Sequence, residues 1–419
     1  MVETAFIHIG TEKTGTTTIQ DFLYRNASAL EAAGHAVLSN MGGRNHTRLA
    51  AYAMGDERAA NSLHLRYRID GPEARAAFDA AVEADLAKAV AAASSARSLL
   101  ASSEHLQSRL HTTDELEKLK ALFARHVKTC KIVVYLRRQD EMAVSLYSTR
   151  LKAGNTARAT VFPADHRAPA IYDYAALLDR LAAVFGEENI IVRLFDRGQL
   201  KDGDLIADYT DAIGLDTALK LERPDARNPS LSNLGIRFLE AFNEHVPDRV
   251  DGQLNKDRRN LVPIMEEHFA GRSTLATRAE AEAFYDRFRE GNAAIRARFF
   301  PDLERDTLFA EDFSAYPETV DAGEYGFDDA VAVAAKLWVG ASREVLHTQA
   351  ENQFLRGQLL MKHSDFDGAI THFQRAVDAL NTAPERYVRA LETSRLRAGA
   401  AKAPGDTNSM VEAEGPRNK

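Results

Sequence analysis

Near its start the chain carries Gly10-Thr11-Glu12-Lys13-Thr14-Gly15-Thr16-Thr17, one lysine among two glycines and four hydroxyl side chains. Where a glycine-containing loop opens a helix, its backbone N–H groups converge on an anion and the helix dipole adds favourable potential. Lys13 adds a point charge there, and the hydroxyls of Thr14, Thr16 and Thr17 add donors that cap the helix or bind oxygens. Phosphate or sulfate is the expected guest. A capped helix start beside a surface lysine is the alternative.

A second cationic position follows much later. Arg137 leaves the end of the run Lys131–Leu136, and Ser145 comes eight residues on, two turns into a helical stretch, so both can flank one phosphate. Arg138 can serve either the anion or the fold. Glu104, in Ser102-Ser103-Glu104-His105, stands directly after a short strand, at the carboxyl edge where open α/β sheets bind ligands. It is the leading candidate for a general base, with adjacent His105 able to do the same work and an N-cap role as the alternative. His8 reads as a hydrogen-bonded core histidine, and His46 as solvated or touching an acceptor.

These residues need a frame that brings strand ends together. Thr4–Ile9, Leu99–Ser103, Lys131–Leu136 and Asn189–Phe195 read as strands, and helical patterns at Thr16–Arg25, Asp79–Ala96, Thr113–His126 and Tyr174–Phe185 alternate with them. The alternation predicts an α/β fold, a parallel sheet covered by helices on both faces in three layers. Gly42–Pro72 is too long for an ordinary connection and is expected to lie over the site as a substrate-side insertion. Leu308-Phe309 reads as a short edge element.

From Asp328 the chain is helical again. Gly357, Ala369, Phe373 and Ala376 occupy helix-contact spacings of one tetratricopeptide-like hairpin, which alone must dock on something else. The expected division is a catalytic α/β domain over 1–322, with 42–72 as its insertion, a helical extension over 323–400, and a disordered tail over 401–419. The C-terminal helices offer a surface for a protein partner or a second copy.

The glycine spacing resembles the Walker A loop, but Thr16 stands where that motif requires lysine, and Arg137 ends the strand where a nucleotide hydrolase would place a carboxylate for Mg²⁺. Two motifs together resemble a different family, the sulfotransferases that use 3′-phosphoadenosine 5′-phosphosulfate. Lys13-Thr14-Gly15-Thr16-Thr17 is similar to the family's 5′-phosphosulfate loop, and Tyr135-Leu-Arg137 with Ser145 to its 3′-phosphate motif. Weaker likeness extends to Phe195-Asp196, to Gly203-Asp204-Leu205 and to Arg227–Ser232. In that last loop Asn228 and Ser230 would face the 3′-phosphate or adenine, unless they simply form a turn and helix cap.

The resemblance implies a P-loop-like fold and metal-independent, in-line transfer of a sulfuryl group to a hydroxyl or amine of a carbohydrate or glycolipid. Lys13 would stabilise the leaving group, and Glu104 would act as base. The sequence departs from the family at Thr11-Glu12, where many members place a proline, and Glu12 is expected to point away from the donor. Two other functions compete: a P-loop kinase using ATP and Mg²⁺, and a non-catalytic adaptor working through the helical hairpin.

Composition narrows the setting. Of 419 residues, 53 are Lys or Arg and 61 Asp or Glu, a net charge of −8 that argues against nucleic acid as a partner. Hydrophobic residues at 45% and charged residues at 27% suit a globular protein rather than a disordered one. Cys130 stands alone, which leaves no intramolecular disulfide and no cysteine-cluster metal site, and it reads as a small buried hydrophobe. No leader or membrane-spanning segment is read, so the expected compartment is the cytoplasm.

Overall fold

The computed structural model describes residues 1–55, 61–93, 95–155, 161–163, 170–216, 219–224, 230–250, 253–258, 261–271, 275–320 and 326–402. Five parallel strands form its main sheet: β1 (Val2–His8), β2 (His35–Val37), β3 (Ser98–Ser102), β4 (Val127–Leu136) and β5 (Ile190–Leu194), in the order β2-β3-β1-β4-β5. The fold is thus α/β with a parallel sheet and a helical C-terminal region.

Strands buried on both faces need apolar side chains at successive positions, and β4 supplies them. Ile132, Val134 and Leu136 pack into one core, with Leu119 and Phe123 of the helix Thr113–Ala124 and Leu181 of the helix Tyr174–Phe185. Val133 and Tyr135 enter the other, with Phe22 and Leu23 of the helix Thr16–Arg25 and Tyr209 of the helix Leu205–Ala212. The sheet therefore has helices on both faces. The chain leaves β1 toward β2 and β3, then passes back to β4 and β5. The winding reverses at the carboxyl end of β1, the place where ligands of open α/β sheets bind.

The structure corrects the sequence reading in several places. His35–Val37 is a fifth strand, only three residues long and too short to stand out by periodicity, so Glu104 follows the third strand in chain order rather than the second. The segment 42–72 holds the helices Thr47–Ala53 and Ser62–Tyr67, and Leu49, Ala50, Ala51 and Ala53 lie in the main core because small side chains let the first helix pack closely. Leu308 and Phe309 are core residues in irregular backbone, not an edge strand. Cys130 is buried as expected, with its thiol pushed up to about 11 by desolvation.

The chain divides into two compact units, Met1–Arg258 with Phe269–Glu324, and Arg259–His268 with Tyr325–Lys419. The helix Leu261–His268, placed by sequence inside the catalytic domain, belongs to the second unit, where Ile264 lies against Gly340 of the helix Phe327–Lys362. In that unit the helices Phe327–Lys362, Phe366–Asp378 and Glu385–Lys402 pack in series. Gly357 leaves room for the Phe373 ring, and Ala369 and Ala376 are buried beside Phe354 and Tyr387. The tail expected over 401–419 lies outside the described residues from 403 onward.

Candidate functional site at the ends of three strands

Backbone pairing carries β1 onward into the glycine-containing loop. The amide of Thr11 donates to Tyr135 O at 2.9 Å, and the Tyr135 amide donates to Gly10 O at 2.7 Å, so the loop leaves the sheet alongside β4. Thr11 Oγ1 adds a bond to Tyr135 O at 3.0 Å. The hydroxyl of Thr14 donates to Thr11 O at 2.6 Å. That bond draws the Thr14 hydroxyl into the loop's own backbone. Thr16 is buried and Thr17 exposed.

Gly15 is the N-cap of the helix Thr16–Arg25, in the left-handed region at φ 75°. A Cβ there would stand 2.3 Å from Leu205 Cδ2 and 3.4 Å from the Phe195 ring. Glycine thus serves both conformation and space, and two of the three segments with the weaker family likeness, through Phe195 and Leu205, pack against the loop. No side chain caps this helix, and the amides of Gly15, Thr16 and Thr17 meet no acceptor among the described residues. These are the orphan donors of a helix start.

The two cationic positions come together. Arg137 Nη1 donates to the backbone carbonyl of Lys13 at 3.1 Å, while its Nε pairs with Glu141 at 3.1 Å. Lys13 Nζ donates to Thr149 Oγ1 at 2.8 Å, and Thr149 lies one helical turn beyond Ser145. Thr149 was missed by sequence reasoning, although its i+4 relation to Ser145 puts both on one face. Burial lowers the Lys13 pKa, with the nearby charges of Lys152 and Arg137 acting in the same direction and those of Glu12 and Glu104 opposing them. Glu12 is thus within electrostatic reach of Lys13 and also of His105.

Glu104 follows β3 by two residues and sits against Gly10, whose Cβ would lie 3.4 Å from Glu104 Cα. It occupies the N-cap position of the helix His105–Arg109, yet its side chain makes no capping bond. Its Oε2 instead accepts from Gln20 Nε2 at 2.6 Å. Gln20, also missed, is a buried polar residue next to Ile19 and Leu23 on the inner face of the helix Thr16–Arg25. A glutamine on that face was the available signal. The buried Ser103 Oγ and His105 Nδ1 on either side of Glu104 have no partner among the described residues, and burial lowers the His105 pKa, favouring its neutral form.

The other predicted residues do different work. Arg138 is buried, forks onto Asp140 at 2.7 and 2.9 Å, and donates to Ala310 O and Asp312 O. It anchors the fold. His46 is buried rather than solvated: Nε2 lies 2.8 Å from Leu38 O, and Nδ1 lies 2.9 Å from Ser102 O and 3.1 Å from the Ser102 amide. His8 pairs through Nδ1 with Ser102 Oγ at 2.8 Å, and desolvation lowers its pKa to about 3. Ser230 is exposed and its carbonyl accepts from the Gly271 amide at 2.8 Å, outside the loop's network. Asn228 lies outside the described residues.

No protein-family model matches the chain, and no solved structure matches it. Over 198 residues the chain is 30% identical to an uncharacterized protein of Archaeoglobus fulgidus, a span of 46% of this chain and 52% of that relative. The chain thus covers about half the length of that curated relative. Among the described residues no helix is long and apolar enough to cross a membrane.

Proposed function

We propose that the protein transfers a sulfuryl group from 3′-phosphoadenosine 5′-phosphosulfate to a hydroxyl or amine of a carbohydrate or glycolipid, through a P-loop-like cradle and without a metal. The observation that carries this reading is the bond from Arg137 to the carbonyl of Lys13. It joins two cationic positions at the ends of the neighbouring strands β1 and β4. The fit to a doubly phosphorylated donor rests on this chain's own groups. Lys13 is a half-buried cation whose ammonium meets a hydroxyl, and three loop amides have no acceptor among the described residues.

The donor supplies the activated sulfur and a phosphate leaving group. The amides of Gly15, Thr16 and Thr17 hold the 5′-phosphate end, and Arg137 with the Ser145–Thr149 helix face holds the 3′-phosphate. As the new bond from acceptor oxygen or nitrogen to sulfur forms, the bond from sulfur to the bridging oxygen breaks, leaving its electron pair on the phosphate. Lys13 stabilises that charge. Glu104, oriented by Gln20, takes the acceptor proton, with neutral His105 the neighbouring alternative.

Thermal shift tests the reading, because a ligand that binds only the folded state raises the melting temperature. Adenosine 3′,5′-bisphosphate without metal is expected to stabilise the wild type and neither Lys13→Ala nor Arg137→Ala. Sulfuryl transfer is expected to vanish in Lys13→Ala while far-UV circular dichroism is unchanged. Stabilisation by ATP with Mg²⁺ and none by the bisphosphate would favour a kinase and overturn the proposal.

A further inference from the structure

We propose that the helix Phe327–Lys362 forms a parallel, two-stranded coiled coil with the same helix of a second copy of this chain. Along it, Val331, Trp338, Val345, Asn352 and Leu359 recur every seven residues, and Ala334, Ala341, Thr348 and Leu355 fall three residues after the first four of these. That is an a/d heptad seam over four repeats. All nine positions are exposed, with Val331 at 47%, Trp338 at 75%, Val345 at 56%, Leu355 at 52% and Leu359 at 56%. The seam lies opposite the face that this helix buries within its own unit, where Ala350, Phe354 and Gly357 point toward Phe373. Seven of the nine positions are apolar, an exposed line of the kind that marks an interaction surface.

The occupant follows from the one polar a position and from the flanking charges. In a parallel, in-register pair Asn352 meets its own copy, and the two amides satisfy each other; in an antiparallel a-to-d pairing it would face Ala334 with no partner. Parallel register also sets the g position Glu344 against the e position Gln349 of the other copy, and brings Glu351, which pairs with Arg386 and Tyr387 of its own chain, toward the e position Arg356 of the other, with no like charges opposed. Trp338 at a is followed and preceded by Ala341 and Ala334 at d, so small layers make room for the large one. A membrane surface is a poorer match, since the helix carries four acidic and four basic side chains and lacks a basic excess.

The chain has one tryptophan, so Trp338 reports on this seam alone. Analytical ultracentrifugation of the full chain is expected to show a concentration-dependent dimer, with Trp338 emission moving to shorter wavelength as the dimer forms. The double variant Val345→Glu/Leu355→Glu is expected to lose both while keeping its helical circular dichroism, because these side chains are exposed in one copy. Asn352→Leu is expected to keep association but to give mixed oligomers. A monomer at every concentration, a dimer retained by the double variant, or a tryptophan shift seen only with phosphatidylglycerol vesicles would each overturn the proposal.

Discussion

Gln20 reaches across from the helix after the loop to hold Glu104, its Nε2 2.6 Å from the carboxylate Oε2. One helix thus offers its N-terminus to the proposed donor and holds the proposed base just past the end of β3. Gln20→Ala is expected to lower kcat about tenfold with little change in donor KM, and Glu104→Gln to lower kcat by about 10²–10⁴-fold, the range for loss of a general base. Steady-state kinetics of sulfuryl transfer check both. Equal kcat in all three proteins would remove Glu104 from the mechanism.

Arg137 and Arg138 are adjacent and should behave oppositely. Arg137→Ala is expected to abolish adenosine bisphosphate binding while changing stability little, since its Nε partner Glu141 is partly exposed. Arg138→Ala leaves buried Asp140 without its ion pair and is expected to destabilise the fold by about 3–5 kcal/mol. Denaturant titration alongside calorimetric ligand binding separates the two.

Gly15→Ala brings together a left-handed φ and a 2.3 Å approach to Leu205. A melting temperature several degrees lower is expected, from a cost of about 1–3 kcal/mol, together with loss of adenosine bisphosphate binding. Leu205→Ala in the same chain removes the contact but not the backbone strain, so it should restore only part of the stability. Full restoration would show that φ carries no cost here.

His8 gives stability a definite pH dependence. Its folded pKa of about 3 lies below the ordinary 6.5 because burial disfavours the imidazolium, so between those values the unfolded chain binds the extra proton. The contribution of the neutral ring is complete above pH 6.5 and falls away as pH drops toward 3. Buried His46 and His35 shift in the same direction. Unfolding free energies measured from pH 4 to 7 should rise with pH, and His8→Gln should show a shallower slope. An identical slope would place a proton on His8 in the folded state.

Lys13 is held by Thr149, so Thr149→Val is expected to weaken adenosine bisphosphate binding several-fold without unfolding the protein, about the worth of one hydrogen bond. Isothermal calorimetry measures it. Unchanged affinity would mean that Lys13 finds its position from the ligand alone.

Local chemistry made much of this protein readable from its residues. The β-branched run from Lys131, the glycines around Lys13 and the apolar spacing of Thr16–Arg25 each depend on near neighbours, and so did the strand–loop–helix that carries the loop. Pairings between distant segments were not readable. Gln20 meets Glu104 across 84 positions and Lys13 meets Thr149 across 136, and only the sheet order β3-β1-β4 makes them adjacent. The same holds for His46, whose polar neighbourhood suggested solvent until the small-residue helix Thr47–Ala53 drew it inside. Sequence determined which groups could face an anion, because propensity and charge act locally; tertiary packing decided which of them meet one another, since a buried polar group must take whatever partner the fold brings within hydrogen-bond reach.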